Sequence, residues 1–421
     1  MSKIYGPVFT LWIGPLPFVF ICDLNMARES FNKIDFTGRP LSQLGSIYCN
    51  AKHKDVIYDD YIYIKIDNRK YAKSKALSEL VDHNVCQMVR RIIADNEGMD
   101  RPFSSHDYVY DVFANILASI VFSEKLDSEQ AELKMLKYIT SDFQTDLGNT
   151  LFLYEFIPVL RYFMANPLIK YKQHFDHLMD YTRNIYQKHD QTYDGNNLRD
   201  FCDILIAAKH DAIADDKRTA PYFTDDNLPA VLIDMFTAGT ETSQTTFQWI
   251  LLYLAYYPNY QDKLRAEISR EIGDRVPVVD DKCRLNYTMA FISEILRHRN
   301  PLPIGLFHKT MVNTKLAGHS IPENTKIVLN QYSILTDPKH WENADVFEPE
   351  RFLDNGGEFI RTKPAAYIPF SYGRRICPGE TLAINDIFLV LLTNDYRIEL
   401  YNEHGRENNL NQLEPHAANT N

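Results

Sequence analysis

The chain has 421 residues, of which 45% are hydrophobic and 24% are charged, so its composition is that of a large globular protein and excludes a disordered or fibrous one. Its formal net charge of −11 argues against nucleic acid as a partner, since proteins that bind phosphate backbones need a basic face. The six cysteines show no paired spacing, which favours free thiols in a reducing compartment over a disulfide framework.

The N-terminal segment predicts a strand at residues 8–13, a turn at 14–17 and a second strand at 18–21. This apolar run is too short, and too interrupted by glycine and proline, to be a membrane span. Helical patterns cover most of the remaining chain, with strands towards the ends. No linker, repeat or low-complexity run marks a boundary, so we expect one domain over residues 1–421.

A long apolar segment begins after Asn227 and stops at Tyr257. It predicts a helix of about thirty residues, roughly 45 Å long, with Asn227 as its N-cap and Pro229 in its first turn. Its middle reads Ala-Gly-Thr-Glu-Thr-Ser at residues 238–243. A glycine inside a helix costs about 1 kcal/mol relative to alanine, so this one needs a reason. The alternatives are a packing notch for a crossing helix and a functional groove.

Glu294 and Arg297 are three residues apart and therefore lie on one face of a predicted helix. Such a pair is usually a solvated ion pair on a helix surface. Here an apolar helical pattern precedes it, Pro301 and Pro303 follow it, and Arg351 comes later in Phe-Glu-Pro-Glu-Arg-Phe. Those flanks favour a buried network.

The residues from 370 to 379, Phe-Ser-Tyr-Gly-Arg-Arg-Ile-Cys-Pro-Gly, present Cys377 as a candidate metal ligand. Apolar residues at helical spacing follow, so Cys377 should lie at a helix start, where N–H groups and the helix dipole stabilise a thiolate. Arg374 and Arg375 add positive charge, and a buried Arg375 needs an anion such as a cofactor carboxylate. Glycines at 373 and 379 let the backbone lie close to a flat group.

A lone cysteine such as Cys377 is more often an inert buried thiol than a ligand. With average residue usage, however, the combination Phe-x-x-Gly-x-Arg-x-Cys-x-Gly arises by chance in a chain of this length at a rate on the order of one in ten thousand. The pattern therefore favours the ligand.

These residues resemble the haem-binding loop of the cytochrome P-450 monooxygenases, in which the cysteine thiolate is the proximal ligand of haem iron. Three further stretches resemble the same family in the same order, so the resemblance extends from about Ile4 to about Leu400. It implies the P-450 fold, mainly α with a small β region, with haem b as the cofactor and Cys377 as the ligand of its iron. Other residues implied to contact the cofactor are Phe370, Gly373, Arg375 and Ala238.

Residues 238–243 resemble the oxygen-binding groove of that family. The resemblance implies that Thr242 and Glu241 manage proton delivery during oxygen activation. The stretches around residues 294 and 351 resemble a buried network that braces the cysteine loop. By this resemblance, Glu294, Arg297 and Arg351 have a structural role.

Two further positions are implied to hold the haem propionates. His308, in Gly-Leu-Phe-His, resembles the family's propionate-contacting histidine, and Arg69 resembles an arginine with the same task. The tryptophan that usually accompanies that arginine is absent, because Tyr63, Ile64 and Lys65 occupy the region. Its absence predicts looser haem binding.

Both ends differ from the family pattern. Animal microsomal members carry an anchor helix and a proline-rich hinge before the first strand, and a strand hairpin after the stretch matching residues 396–400. From the absence of these patterns we expect a catalytic domain without an N-terminal membrane anchor and with a shortened C-terminal end. Membrane association is expected for full-length family members.

The substrate class rests on a finer resemblance. Residues 156–163 and the Thr-Glu-Thr variant resemble the animal microsomal group that includes steroid 17-hydroxylases and aryl hydrocarbon hydroxylases. That implies a small lipophilic substrate, steroid-like or aromatic. Phe143, Phe152 and Phe156 are candidate pocket residues, although aromatic residues at helical spacing more often belong to a core.

The same resemblance implies electrons from an NADPH-dependent flavoprotein reductase, with cytochrome b5 as an additional partner, at the cytoplasmic face of the endoplasmic reticulum membrane. The residues at 65–75 include a basic cluster, and two arginines lie beside Cys377. Such charges usually form a solvated face, but the resemblance implies that they form the surface where the reductase docks.

Two alternatives stay open. A haem-thiolate isomerase or dehydratase would need no reductase, but Thr242 argues against it because relatives of that type can dispense with oxygen activation. A non-catalytic haem- or lipid-binding relic of the same fold would bind lipophilic ligands without consuming NADPH. The missing tryptophan and the atypical ends favour that second alternative.

Overall fold

The computed structural model describes residues 2–40, 42–49, 57–58, 75–96, 103–126 and 130–395. Arg69, the tyrosine at position 63 and most of the basic cluster at residues 65–75 lie outside these ranges, as do residues 396–400. The structural statements below concern the described residues.

Helices dominate, and the predicted fold class, mainly α with a small β region, is confirmed. In chain order the helices are α1 Ser2–Tyr5, α2 Leu24–Phe31, α3 Gly45–Tyr48, α4 Lys75–Asp95, α5 His106–Phe122, α6 Ala131–Lys137, α7 Phe143–Phe156, α8 Ile169–Gln191, α9 Phe201–Ala214, α10 Asn227–Tyr256, α11 Pro258–Glu271, α12 Asn286–His298, α13 Gln331–Leu335 and α14 Glu380–Asp395. A π-helical turn, Tyr138–Asp142, joins α6 to α7, and Gly148 interrupts the helical geometry of α7.

Helix α10 is the central element. Its 30 residues are largely buried, because α5, α8 and α14 pack around it. Phe113 of α5 contacts Phe247 at 5.8 Å between ring centroids, and Phe122 contacts Phe236 at 5.9 Å. A helix that is buried over most of its length needs apolar residues on more than one face.

The predicted start of α10 is wrong in one detail. Asn227 is the first helical residue rather than the N-cap, and its side-chain amide donates to the Tyr222 carbonyl at 2.9 Å. The hydroxyl of Thr224 accepts from the Asn227 N–H at 3.1 Å. A residue further upstream therefore satisfies this free N–H group, which the spacing of apolar residues alone does not reveal.

The main sheet has four strands in the order β1-β2-β6-β3, where β1 is Val8–Ile13, β2 is Leu16–Ile21, β3 is His308–Lys309 and β6 is Lys326–Leu329. Strands β1 and β2 are antiparallel, whereas β2 and β6 are parallel and pair residues about three hundred positions apart. Strands β4 Thr314–Leu316 and β5 His319–Ile321 form a separate hairpin. The turn between β1 and β2 is shorter than predicted, since only Gly14 and Pro15 lie outside the strands, with Gly14 at φ +59°.

Successive side chains of β2 point to opposite faces of the sheet and belong to two separate parts of the core. Val19 and Ile21 join a cluster with β6 and the segments after it, whereas Phe18 and Phe20 point to the opposite face. That second face packs against Phe156 and Phe307. The sheet thus carries an aromatic wall beside the end of α7.

All six cysteines are free thiols, as the sequence predicts. No helix of the described residues has both the length and the apolar character that a bilayer crossing requires.

Candidate functional site

The cysteine loop spans residues 370–379 and leads directly into α14. The N–H of Cys377 donates to the Phe370 carbonyl at 3.0 Å, which closes the loop. Its thiol accepts hydrogen bonds from the backbone N–H groups of Gly379 and Glu380. These are free donors at the start of a helix, and they favour the thiolate as the sequence predicts.

The Cys377 thiol is exposed on one side and surrounded by protein atoms on the others. This enclosure raises the pKa of the thiol above its ordinary value, and the charge of the Glu380 carboxylate acts in the same direction. The two N–H donors oppose them. A thiol in such surroundings needs a further positive partner on its exposed side to ionise fully.

The neighbouring arginines do not supply that charge in the way the sequence predicts. Arg374 is exposed and its Nε donates to the Asn32 carbonyl at 3.0 Å, whereas the Nε of buried Arg375 donates to the Thr37 carbonyl at 3.0 Å. Both side chains tie the loop to the N-terminal segment.

Gly373 brings the cysteine loop close to the end of α2. It lies at φ +80°, and a Cβ there would be 2.2 Å from the Phe31 carbonyl oxygen. The close approach is therefore to protein backbone at the end of α2. Any side chain at this position would push α2 away from the loop.

Three buried basic side chains from distant segments converge near the loop: Arg375, His308 and Arg39. His308 Nδ1 donates to the Phe36 carbonyl at 2.7 Å, and its ring packs edge-on against Phe31. Burial lowers the pKa of His308 well below its usual range, and the charges of Arg39 and Arg375 lower it further. This arrangement attracts an anionic group such as a carboxylate.

Sequence reasoning missed Arg39. It stands in Phe-Thr-Gly-Arg-Pro, where no spacing rule singles it out. Its guanidinium donates to the Ile57 carbonyl at 2.9 Å and to the Phe307 carbonyl at 3.0 Å. Only the return of the chain near residue 307 shows that it shares a site with His308.

Apolar side chains are accessible in the loop and in the segment at residues 302–306. Leu302, Ile304, Leu306 and Ile376 are each between 41% and 48% exposed. Asn300 and Gln331 hold this region to the start of the loop, since both side-chain amides donate to the Pro369 carbonyl, at 2.9 and 3.2 Å. Neither residue carries a signal in the sequence that predicts this bracing role.

Ala238 is exposed as well, in the middle of the otherwise buried α10. A flat apolar group with carboxylates needs accessible apolar side chains, a ligand thiol and basic side chains. The region offers all three, the basic ones being Arg375, His308 and Arg39. The residues therefore fit the haem that the sequence predicts.

The glycine of α10 lies at a helix crossing. A Cβ on Gly239 would be 2.8 Å from Leu117 Cδ1 of α5, which matches the packing notch that the sequence left open. The threonines around it bond back to the helix: Thr240 Oγ1 donates to the Phe236 carbonyl at 2.8 Å, and Thr242 Oγ1 donates to the Ala238 carbonyl at 2.7 Å. Gly239 therefore serves the crossing with α5, and Thr242 lies three residues further along the same helix.

Glu241 has a different environment from its neighbour Thr242. Its Oε2 is buried and has no hydrogen-bond partner among the described residues, while the carboxyl group is hydrogen-bonded to Ser141. Burial raises the pKa of Glu241, and the nearby His106 partly opposes this. A carboxyl group in such surroundings holds a proton more readily than one in water.

Glu241 lines a cavity of about 1190 Å³ between α7, α10 and the sheet. The predicted pocket residues Phe143, Phe152 and Phe156 line it too. Cys377 and Thr242 are not among its lining residues. Further side chains on its wall are His106, Ser141, Trp249, Leu252, Tyr256, Phe307 and Lys326.

Glu294, Arg297 and Arg351 form one ion-pair network. Arg297 meets the Glu294 carboxylate with two parallel hydrogen bonds of 2.6 and 2.7 Å, and Arg351 Nε lies 3.1 Å from the same carboxylate. Arg297 also donates to the Leu335 and Ala344 carbonyls at 2.8 and 2.9 Å. The carboxylate and Arg297 are fully buried, so the pair is not the surface pair that the spacing alone favours.

Comparison with known proteins agrees with this geometry. The family model of cytochrome P-450 matches residues 1–414. Cytochrome P-450 2U1 of Rattus norvegicus is 31% identical over 403 residues, covering 93% of this chain and 75% of the relative. Cytochrome P-450 1A1 of Opsanus tau is 31% identical, with 95% and 80% covered. Steroid 17-alpha-hydroxylase/17,20 lyase of Squalus acanthias is 29% identical, with 92% and 78% covered.

Proposed function

The chain belongs to the cytochrome P-450 family of haem-containing monooxygenases, and from that membership we propose that it inserts one oxygen atom of O2 into a small lipophilic substrate, steroid-like or aromatic. Its electrons come from NADPH through a separate flavoprotein reductase. The observation that carries this proposal is the Cys377 thiol, accessible on one side and held by two backbone N–H donors.

The cofactor of the family is haem b, which supplies the iron where dioxygen is activated. In the proposal, Cys377 is the iron ligand, and Arg375, His308 and Arg39 hold the carboxylates of the cofactor. Phe370, Gly373 and Ala238 remain proposed cofactor contacts; they are supported by their place in the loop or, for Ala238, by its exposure in α10. Arg69 has the same proposed role on the resemblance alone.

Proton delivery is the proposed task of Glu241 and Thr242. Glu241 holds a proton readily because burial raises its pKa, and it faces a cavity into which His106 and Ser141 also open. The Thr242 hydroxyl donates its own hydrogen to the Ala238 carbonyl, so its oxygen can accept a hydrogen bond from a proton donor.

The test of the iron ligand is the spectrum of the purified protein, reduced and exposed to carbon monoxide. We expect a strongly red-shifted Soret band in the wild type and its loss in Cys377→Ala, because only a thiolate ligand shifts the band in this way. Cys283→Ala is the matched control, since Cys283 is another exposed cysteine far along the chain. A wild-type band at the position of histidine-ligated haem would contradict the proposal.

The test of proton delivery is Thr242→Ala with reductase and NADPH supplied. The carbon monoxide spectrum should persist, while most consumed NADPH should appear as released hydrogen peroxide and not as oxidised product. Thr246→Ala is the control, because its hydroxyl makes the equivalent bond to the Thr242 carbonyl one turn later. Equal coupling in the Thr242 variant and the wild type would refute the role.

The proposal also includes where the reductase docks and where the protein lies in the cell. Arg374 is exposed in the cysteine loop and would meet an acidic reductase surface, with cytochrome b5 as a second partner at the same face. The endoplasmic reticulum membrane is the proposed location.

Consumption of NADPH by the reductase together with the wild-type protein separates a monooxygenase from a non-catalytic relic, because a relic would consume none.

A further inference from the structure

Three aromatic side chains lead from the large cavity to the protein surface at the C-terminal end of α10. Trp249, Tyr253 and Tyr257, the α10 series, are spaced four residues apart, so each lies about one turn beyond the last. Trp249 lines the cavity, Tyr253 is buried and Tyr257 is 39% exposed. The ring centroids of Trp249 and Tyr253 are 6.2 Å apart, and those of Tyr253 and Tyr257 are 5.9 Å apart. Indole and phenol lose single electrons more readily than other ring side chains, so an oxidation can pass along these contacts.

The buried tyrosine of the α10 series has a base beside its hydroxyl. The Tyr253 hydroxyl donates to His298 Nδ1 at 2.9 Å, and His298 Nε2 donates to the Asp345 carbonyl at 2.9 Å, so the imidazole is neutral. Burial lowers the pKa of His298 to about 4, and the charge of Arg299 acts in the same direction. A phenol that has lost an electron is a far stronger acid than a neutral phenol. Even a weakly basic imidazole therefore takes its proton.

A positive charge beside the first two rings directs an oxidation outward. The guanidinium of Arg299 lies 5.1 Å from the centroid of the Trp249 ring and 6.0 Å from that of Tyr253. A charge this close opposes the positive charge that an oxidised indole or a newly protonated imidazole would carry. Tyr257 can release its proton to water and then carries no net charge. The oxidation is therefore more stable at Tyr257 than at the two earlier positions.

The α10 series ends at Tyr257. The ring of Tyr260 lies 5.6 Å beyond that of Tyr257, but its hydroxyl donates to the Phe347 carbonyl at 3.1 Å. Burial raises the pKa of Tyr260 to about 12, so this phenol gives up its proton less readily than one in water. The exposed ring of Tyr257 is the position that a reductant in solution can reach.

A second series of tyrosines begins at the same cavity but has no base beside it. Tyr58 lines the cavity, and its ring lies 5.2 Å from that of Tyr48, which lies 6.3 Å from that of Tyr171. The hydroxyls of Tyr48 and Tyr171 bond to each other at 2.6 Å, and that of Tyr171 donates to the Ile139 carbonyl at 3.1 Å. A peptide carbonyl is a much weaker base than an imidazole, so loss of an electron here is disfavoured.

We propose that Trp249, Tyr253 and Tyr257 carry single-electron oxidations from the cavity to the protein surface, where a small phenol reduces Tyr257. The inference rests on the proposed function, because the haem is where the oxidant acts. It gives the protein a second, peroxidase-like activity towards phenols that remain outside the cavity.

Hydrogen peroxide is the oxidant, and it is reduced to water. Each molecule takes up two electrons and two protons, so it drives the α10 series twice. In each passage Trp249 loses one electron towards the cavity and recovers it from Tyr253, whose phenolic proton moves to His298 Nδ1. Tyr257 then gives an electron to Tyr253, which takes its proton back, and Tyr257 releases its own proton to water. The phenol supplies one electron and one proton to Tyr257 and leaves as a phenoxyl radical.

The first experiment locates the oxidised residue. The haem-loaded protein is treated with hydrogen peroxide and a nitroso spin trap, without reductase, and peptide mass spectrometry identifies the adducts. We expect the main adduct at Tyr257 and little at Tyr162, which is 87% exposed but outside the α10 series. Labelling that follows exposure, with more adduct at Tyr162 than at Tyr257, would overturn the proposal. A main adduct at Tyr48 or Tyr171 would overturn it as well.

The variants test the order of the α10 series. Tyr253→Phe should lose the adduct at Tyr257, although Tyr257 itself is intact, because the new side chain has no hydroxyl proton to give to His298. Tyr256→Phe is the matched control, since Tyr256 lines the cavity but its ring contacts no other aromatic ring among the described residues. Its adduct pattern should match the wild type. An adduct at Tyr257 that survives in Tyr253→Phe would contradict the relay.

A phenol coupled to dextran tests the second activity, because the polymer keeps it outside the cavity. Peroxide-dependent oxidation of this phenol should be lost in Tyr257→Phe and in Tyr253→Phe, while the carbon monoxide spectrum of both variants should remain that of the wild type. Equal oxidation in these variants and in Tyr256→Phe would show that the phenol is oxidised by another route and would overturn the proposal.

A further measurement needs no haem. A light flash ionises tryptophan side chains, and transient absorption then follows the transfer of the oxidation to tyrosine. The tyrosyl signal should fall in Trp249→Phe and in Tyr253→Phe. It should persist in Trp12→Phe, the control, since Trp12 is 65% exposed and outside the α10 series. Equal tyrosyl signals in all three variants would overturn the path.

Failure of this inference is distinguishable from failure of the proposed function. A red-shifted carbon monoxide band without an adduct at Tyr257 would remove the relay and leave the monooxygenase in place. A missing band together with a tyrosyl signal that depends on Tyr253 would support the electron path and remove the proposed function.

Discussion

At the scale of single residues, burial decides what a charged side chain does. The Glu294 carboxylate is fully buried and accepts from Arg297, from Arg351 and from the Glu348 N–H at 2.9 Å. Arg297 in turn holds two carbonyls of the segments after β6. A carboxylate in this position is tolerable only while its partners remain, because a lone buried charge is very costly.

Arg297→Ala should therefore lower the free energy of unfolding by about 3–5 kcal/mol, because it leaves the Glu294 carboxylate with half of its charge partners. Denaturant unfolding measures the change. Lys172→Ala is the matched control, since Lys172 pairs with Asp176 on the surface of α8 at 58% exposure and should cost less than about 1 kcal/mol. Equal losses in the two variants would contradict the buried network.

His298 gives the protein a pH-dependent stability. Its Nε2 donates to the Asp345 carbonyl at 2.9 Å, so Nδ1 accepts from the Tyr253 hydroxyl at 2.9 Å and the ring is neutral. Burial, aided by nearby arginines, lowers the pKa of His298 to about 4. Below the unfolded value of about 6.5 the unfolded chain takes up a proton that the native protein refuses.

The contribution of His298 to stability is therefore complete above pH 6.5 or so and falls as the pH falls towards about 4, by roughly 3 kcal/mol in total. Unfolding free energies of the wild type and His298→Gln, measured across this range, should converge as the solution becomes more acidic. Parallel curves would show that another group causes the acid sensitivity.

At the scale of elements, neighbouring residues of α10 have two different roles, one in packing against α5 and one at the accessible part of the helix. Gly239 lets α5 approach, because a Cβ would be 2.8 Å from Leu117 Cδ1. Ala238 and Thr242, one turn apart, lie where the helix is accessible. The cost of a glycine in mid-helix is offset by the packing that it permits.

Gly239→Leu should destabilise the protein by about 1–3 kcal/mol through overpacking. Leu117→Ala should cost about 2–5 kcal/mol through the cavity that it leaves. The double variant should lose less than the sum of these two, because the new side chain fills the space vacated on α5. Denaturant unfolding of all four proteins gives the coupling, and strict additivity would refute the contact.

At the scale of the whole molecule, we propose that the chain folds as one domain. Strand β2 near the N-terminus pairs with β6 beyond residue 325, and Arg39 binds carbonyls at residues 306 and 307. Helix α10 contacts elements from both halves of the chain. Contacts between distant segments couple their unfolding.

Ile327→Ala tests this coupling, because Ile327 is fully buried in the sheet between β2 and β3. It should cost about 2–5 kcal/mol and lower the midpoint of the helical circular dichroism signal and of the tryptophan fluorescence equally. Val312→Ala, at a side chain 48% exposed, should change neither by much. Separate transitions would show two independent units.

The sequence by itself determined the features that depend on local spacing. Periodicity of apolar residues predicted α10 and α14 and the strands at residues 8–21. The frame around Cys377 predicted a metal-ligand cysteine, and its resemblance to the cytochrome P-450 loop implied haem. These succeed because helix and strand periods, and the geometry of a short loop, involve residues close together in the chain.

The tertiary structure decided which distant residues meet. Arg39 beside His308, Phe31 against Gly373, and Asn300 and Gln331 at the cysteine loop each join segments far apart in the chain. No local pattern encodes such pairs, because burial and charge at these positions arise only when separate elements pack together. For the same reason, the sequence alone did not show that Glu294 and Arg297 are buried.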